Sequence, residues 1–436
     1  MAKGRALGRF ELGLGIVGLL ALALAYATVT GWNPWPIVQD WLERGHSLAR
    51  PAPRWTVTVD NQPSSAIVAR GVVVVGMGDQ VSGYLIDSGA RQWTRNVAWS
   101  GVAGLGSGSV VVAGRTGRRG YDTLDPATGT PKWSDPNAIG AWTFANLVIG
   151  VHCPQDFTCV LTARTPDNGK VRWETTLSGN GRPLSGINRS LVGVRALGPV
   201  DRLPQPVPPV LGFPLDDEVQ VVGTTNGSRL HRYRSDARTR VTVAGGTAVL
   251  TSGTFRADAC RRHVEGRSPN GDKQTWRRDG YDLHTSTGLG CDQRTSPLGG
   301  GGLLAGISGD DRDVLLDPDS GAEVFRAGPG ERLVNTNGRL ALVRSADRKQ
   351  VLAVDLDTGQ TRWTRPVEKN VAIAMGPTVV VITEPSTQTL TVVANNGSVL
   401  VSVSSDATVL GYAETGLIVN GGRQVGLIPY GSGGRA

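Results

Sequence analysis

The chain has 436 residues, enough for several ordinary domains or for one large closed β architecture. Its 60 glycines and 25 prolines are spread along the whole length, which favours many short strands joined by turns over long helices or low-complexity tracts. The formal net charge is +8, but Arg118-Arg119, Arg261-Arg262 and Arg277-Arg278 have carboxylates nearby and no aromatic interleaving, so no nucleic-acid partner is expected.

In chain order, residues 1–11 form a basic N-terminus carrying Lys3, Arg5 and Arg9. Residues 12–30 follow without a charged side chain, a run of 19 that as a helix matches the hydrocarbon core of a bilayer. No basic residue follows until Arg44. That asymmetry predicts a single-pass transmembrane helix at the cell membrane, with the N-terminus cytoplasmic and the rest extracytoplasmic. Tyr26, Trp32 and Trp35 suit the bilayer boundary. A cleaved signal peptide, cut at Ala25-Tyr26-Ala27, is the alternative and exports the same residues. Residues 31–53 read as a tether, stiffened by Pro51 and Pro53.

From residue 54 to 430 one phrase recurs: an apolar strand, Asp, turn residues, Gly, a polar gap, then Trp. It stands as YLIDSGARQW at 84–93, YDTLDPATGTPKW at 121–133, LTARTPDNGKVRW at 161–173 and VLAVDLDTGQTRW at 351–363. Gly89, Gly129 and Gly169 are 40 residues apart, and so are Trp93, Trp133 and Trp173. Weaker copies are VVGTTNGSRLH at 221–231, YDLHTSTGLGC at 281–291, VLLDPDSGAEVF at 314–325 and TVVANNGSVLV at 391–401. Each phrase reads as a hairpin whose Gly takes positive φ. With two strand-like runs upstream, each unit is a four-stranded antiparallel sheet of propeller-blade size. Trp93, Trp133, Trp173 and Trp363, with Gly89, Gly129, Gly169, Gly321 and Gly359, are therefore expected to be structural docking residues between blades.

The strand 55–59 lacks the start of its unit, and the run 406–430 lacks its last strand. Joining them closes the ring and predicts that Trp55 lies beside 416–430. Eight turns and the closing unit make nine, yet propellers typically have four to eight blades. The irregular region 238–327 is expected to hold fewer blades than its turns, so the expected fold is all-β with eight four-stranded blades, seven being the alternative, behind one N-terminal transmembrane helix. Residues 431–436 form a tail.

The four cysteines are expected to pair locally, Cys153 with Cys159 and Cys260 with Cys291. A zinc site with His152 and His263 is the alternative, although no Cys-x-x-Cys spacing supports it. Two segments break the repeat, 195–215 with Pro204, Pro206, Pro208, Pro209 and Pro214 among its residues, and the polar 255–295. They are the first candidates for partner contact.

The motif Asp-x-x-Thr-Gly-x-x-x-Trp, at 125–133 and as Asp355 to Trp363, resembles the tryptophan-docking repeat of pyrroloquinoline-quinone-type propellers. That family includes quinoprotein dehydrogenases and non-enzymatic relatives such as the propeller lipoprotein that assists outer-membrane assembly. The resemblance implies the fold and leaves function open. Quinoprotein enzymes hold their cofactor against adjacent cysteines and bind calcium with axial carboxylates. No two cysteines are adjacent here, and neither 310–313 nor 355–357 completes a calcium loop. No nucleophile elbow, His-Glu-x-x-His or phosphate loop occurs either. The expectation is a scaffold without catalysis, cofactor or metal, whose partner is an envelope protein or cell-wall polymer. A quinone-dependent oxidoreductase and a sugar- or polymer-binding module are the alternatives.

Overall fold

A computed structural model describes residues 48, 52–155, 158–178, 204–215, 217–236, 239–256, 259–271, 273–283, 302–405 and 407–431. Apart from a 3-10 turn at Gly106–Gly108, these residues form 35 strands and no helix. The strands assemble into nine antiparallel sheets.

In chain order, blades 1 to 8 occupy residues 65–96, 100–135, 140–178, 210–234, 239–279, 282–326, 332–366 and 372–404. Blade 9 joins 408–429 to Trp55–Thr58 at the other end of the chain. Trp55 stands opposite Leu427 in that ladder, as the incomplete strand at 55–59 predicts, and the Arg54 N–H donates to the Leu427 carbonyl at 2.8 Å. The ring thus closes by hydrogen bonds between its first and last strands.

The strand sequences fit this arrangement. Second strands are apolar on both faces, as in Val72–Gly76 and Val110–Gly114, where every residue is buried. Both faces are needed because each sheet packs against two neighbours. Val73, Val75 and Tyr84 of blade 1 pack with Ile418, Val425 and Leu427 of blade 9, while Val72, Val74 and Val81 pack with Val102 and Val111 of blade 2. The core is therefore a chain of interblade layers. Outer strands are mostly exposed around one buried aromatic, as at Trp93 in Arg91–Asn96.

The expected count of eight, or seven, is corrected to nine. The region 238–327 holds two complete four-stranded sheets, blades 5 and 6. Its blade-5 turn lies at 268–273, where the Ser268 N–H donates to the Lys273 carbonyl. Of the phrase at 281–291, Asp282–Leu283 begins blade 6 by pairing with Ile307 and Gly306, and 284–291 lie outside the described residues. Blade 4 shows three described strands, which align with the second to fourth of the other blades.

The expected membrane helix and the single-pass localisation built on it are also corrected. No helix of the described residues is long and apolar enough to cross a membrane, and the stretch 12–30 lies outside those residues. Length and hydropathy permit a span without requiring one. The first described residue, Leu48, is buried against blades 8 and 9, and its carbonyl accepts a hydrogen bond from Ser405 Oγ.

Candidate interaction surface

Most of the repeat's distinctive side chains are consumed in joining blades. Each indole N–H crosses to a carbonyl in the next blade's last turn: Trp93 to Pro126 at 2.8 Å, Trp133 to Pro166 at 2.8 Å, Trp173 to Thr224 at 2.7 Å and Trp363 to Asn395 at 3.3 Å. Trp276 and Trp55 do the same to Pro318 at 2.9 Å and Ile86 at 2.7 Å. The rings lie on the turn glycines, so that a Cβ added at Gly89, Gly129, Gly169 or Gly321 would come within 2.5–2.8 Å of Trp55, Trp93, Trp133 or Trp276. Gly359 has open space instead, because blade 6 carries Phe325 at the position where six of the nine blades carry Trp.

The joint between blades 4 and 5 is built differently. His231 occupies the Trp position and lies against Gly271. The carbonyl three residues before that glycine, on Ser268, accepts from the Tyr233 hydroxyl at 2.6 Å. Two side chains here divide the work of one indole.

The turn acids cap their own backbones. Asp125 Oδ1 accepts from the N–H groups of Ala127 and Thr128, Asp317 Oδ1 from Asp319 and Ser320, and Asp355 Oδ1 from Asp357 and Thr358. Asp125 is partly desolvated, which alone raises its pKa, but these donors and the Arg70 guanidinium pull it below the usual carboxylate range. In Asp317 the Ser320 hydroxyl, and in Asp355 the Thr358 backbone N–H, are the main causes of the same downward shift.

Antiparallel order puts the docking turns and the first-to-second strand turns on one face of the ring. The second-to-third strand turns share the opposite face, and there two hairpins rise. In blade 3, strands Val148–Gln155 and Thr158–Arg164 run beyond the inner strand, whose last partner is Val151. A disulfide between Cys153 and Cys159 staples this hairpin one residue past the His152–Val160 pair. Cys159 is buried in the layer shared with blade 4. In blade 5, four pairs from Gly253–Arg262 to Arg256–Ala259 extend past Ser252 and His263, where the flanking strands end. That ribbon stands about 13 Å above its sheet at about 3.3 Å per residue. Cys260 lies on it opposite Phe255, whereas Cys291 and the turn 257–258 fall outside the described residues.

Between the two hairpins blade 4 turns back at once, with the Leu215 N–H donating to the Glu218 carbonyl at 2.8 Å. The result is a saddle with blade 4 as its floor and hairpins on both sides. Part of the segment 195–215 forms the opposite rim: Ala145 N–H donates to Gln205 O at 2.8 Å and Val207 N–H to Asn146 Oδ1 at 2.9 Å. Residues 195–203 lie outside the described residues.

The rest of the raised face is set by fixed ion pairs. Arg326 binds both oxygens of Asp310 at 2.9 Å and Glu323 at 2.8 Å, and Tyr281 donates to Glu323 at 2.5 Å. The hydrogen bond from Arg326 is the main cause of the lowered Glu323 pKa. Asp313 accepts from the Leu333 N–H at 2.7 Å. Arg118, Arg119, Arg348 and Lys349 are exposed at turn tips of blades 2 and 7.

The ring, its closure and its indole joints define a β-propeller of pyrroloquinoline-quinone-like repeats. The model of the family described as outer membrane protein assembly factor BamB matches residues 261–420, which bears out the resemblance read from the repeats. No curated protein matches the sequence. Among solved structures, BamB from Moraxella catarrhalis is similar at 15% identity and TM-score 0.41, over 87% of this chain and 99% of that one. Quinohemoprotein alcohol dehydrogenase ADHIIG from Pseudomonas putida HK5 is similar at 12% identity and TM-score 0.37, over 85% of this chain and 78% of that one. Apo AztD from Citrobacter koseri is similar at 14% identity and TM-score 0.36, over 80% and 96%. At these values none of the three assigns a function to this chain.

Among the described residues, the cysteines and carboxylates do not form the adjacent-cysteine and calcium site that the resemblance to quinoprotein enzymes implies. The one described disulfide joins Cys153 to Cys159 across a hairpin, with Cys159 buried between blades. Asp310 and Asp313 are held by Arg326 and by the Leu333 N–H, and Asp355 caps its own turn.

Proposed function

We propose that this protein is a non-enzymatic interaction scaffold whose raised-hairpin face receives a protein of the cell envelope. The observation that carries the reading is the saddle over blade 4. The docking face spends its repeat residues on blade-to-blade bonds, whereas the opposite face builds two hairpins beyond the length its sheets require. Loops raised on a rigid frame are where such scaffolds carry recognition. The disulfide at the foot of one hairpin suits an oxidising compartment.

The test trims the blade-5 ribbon, joining Gly253 to Arg262 by a two-residue turn, which leaves the paired blade intact. Wild-type and trimmed proteins are used to capture partners from envelope extracts. The reading expects a defined envelope protein retained by the wild type and lost from the trimmed form. Turnover of an alcohol by purified protein supplied with quinone and calcium would overturn it.

A further inference from the structure

Three of the nine blades carry another residue where the rest carry the docking Trp. Blade 4 uses His231 with Tyr233, and blade 6 uses Phe325. In blade 8 the residue is Val401, which stands opposite Val392 as Trp93 stands opposite Gly83. A valine side chain has no N–H to send across to the next blade. The receiving side differs too. Blade 9 takes its fourth strand, Trp55–Thr58, from the start of the ring, so its third and fourth strands belong to opposite ends of the chain.

Both of those ends enter the joint between blades 8 and 9. From the C-terminal side, the Gly431 N–H donates to the Leu400 carbonyl of blade 8 at 2.6 Å, and Tyr430 packs against the apolar layer between the two blades. From the N-terminal side comes Leu48, 5% exposed and part of that same layer. On the third strand of blade 9, Gly426 leaves its place clear: a Cβ there would crowd Leu48 Cδ1 at 3.1 Å and stand 3.4 Å from Pro53 Cβ. Strand alternation turns Gly426 and Ile428 toward blade 8, while Val425 and Leu427 face blade 1. Leu48 therefore lies on the blade-8 side of the closing sheet. Its carbonyl accepts from Ser405 Oγ, which is buried and itself accepts from the Ala407 N–H at 3.1 Å. Ser405 directly follows the outer strand of blade 8, at the raised face of the ring.

We infer that Leu48 anchors an N-terminal strap that locks the seam between blades 8 and 9 from the raised face. Its side chain supplies the apolar area and its carbonyl the polar bond that one indole supplies at the Trp joints. The strap is distinct from the closing ladder. Trp55–Thr58 pair with the third strand of blade 9, whereas Leu48 reaches across to blade 8. Release of Leu48 loosens one joint and leaves every sheet paired. The seam is thus the place where the ring can open, under the control of a segment that lies outside the repeats. This device is independent of the partner reading above.

Amide exchange of the full chain tests the inference, with Leu48→Ala and the milder Ser405→Ala beside the wild type. The reporters are Gly431, whose bond crosses the seam, and the outer strand Val399–Ser404. Leu48→Ala is expected to speed exchange at both roughly tenfold or more, through loss of buried apolar contact. Ser405→Ala removes one hydrogen bond and is expected to speed it about fivefold. The Gly129 amide, beneath the Trp93 joint, should keep its wild-type rate in both. Unchanged exchange at the seam in Leu48→Ala would overturn the inference, and so would equal acceleration at Gly129. Should that variant fail to fold, Ser405→Ala decides by the same comparison.

Discussion

Trp93 of blade 1 donates its indole N–H to the Pro126 carbonyl of blade 2 at 2.8 Å, and its ring covers Gly129 three residues further on. The same relation links Trp133 to Pro166 and Gly169, and Trp276 to Pro318 and Gly321. One side chain supplies apolar area, a buried hydrogen bond and a steric reason for glycine in its neighbour. Trp93→Phe keeps most of the area and loses the bond, so it should cost about 1 kcal/mol. Trp93→Ala empties the joint and should cost about 3–5 kcal/mol. Denaturant unfolding of both variants measures the difference.

Two glycines with nearly equal φ separate backbone strain from contact. Gly129 has φ +66° and Gly117 has φ +67°, yet a Cβ meets Trp93 at 2.5 Å in the first and nothing within 4 Å in the second. Gly117→Ala should cost only the left-handed backbone penalty, about 1–2 kcal/mol. Gly129→Ala should cost clearly more, because the indole must move. Equal losses in thermal unfolding would contradict the docking geometry.

The joint between blades 4 and 5 should be sensitive to one oxygen. Tyr233→Phe leaves Ser268 O without the hydroxyl that serves it and should cost about 1 kcal/mol. Amide exchange is expected to rise around 268–273 and stay unchanged at the Trp93 joint.

Acid should weaken the turns before it affects the core. The folded pKa values of Asp125, Asp317 and Asp355 are depressed, so the unfolded chain binds more protons as these groups begin to titrate. Their contribution is complete above the unfolded carboxylate pKa, about 4, and is lost as pH falls through the lower folded values. The urea midpoint should fall steadily below about pH 4, and Asp125→Asn should flatten that fall.

The staple acts locally. Replacing Cys153 and Cys159 by serine opens a loop of only six residues in sequence separation, so the chain-entropy loss is about 2 kcal/mol at most. Faster exchange is expected in the hairpin, with the interblade joints unaffected.

Much of the ring was legible because its joints repeat in sequence. The spacing of Gly89, Gly129 and Gly169, and the lone strand at Trp55, follow directly from blade geometry. Blade 5 was harder to read, since its turn ends Asn270-Gly271 and its Trp276 comes five residues later, against four in the clear copies. The phrase at 281–291 reads as a turn, yet its Asp282–Leu283 pair as the inner strand of blade 6. His231 was marked only as the end of the weak copy at 221–231, and Tyr233 carried no signal, because neither matches the Trp whose work they share. The raised hairpins were only partly legible: the cysteines at 153 and 159 marked one, but strand length beyond a neighbour is a property of register.

The scaffold reading is tested most directly by photo-crosslinking from both faces of the ring in whole envelopes. Crosslinkers at Arg118, His152 and Asp217 sample the raised face, and those at Asp87, Asn226 and Asp357 sample the docking face. One protein adduct shared by the first set and missing from the second is the predicted result. Adducts confined to the second set, or spread equally over both, would contradict the account.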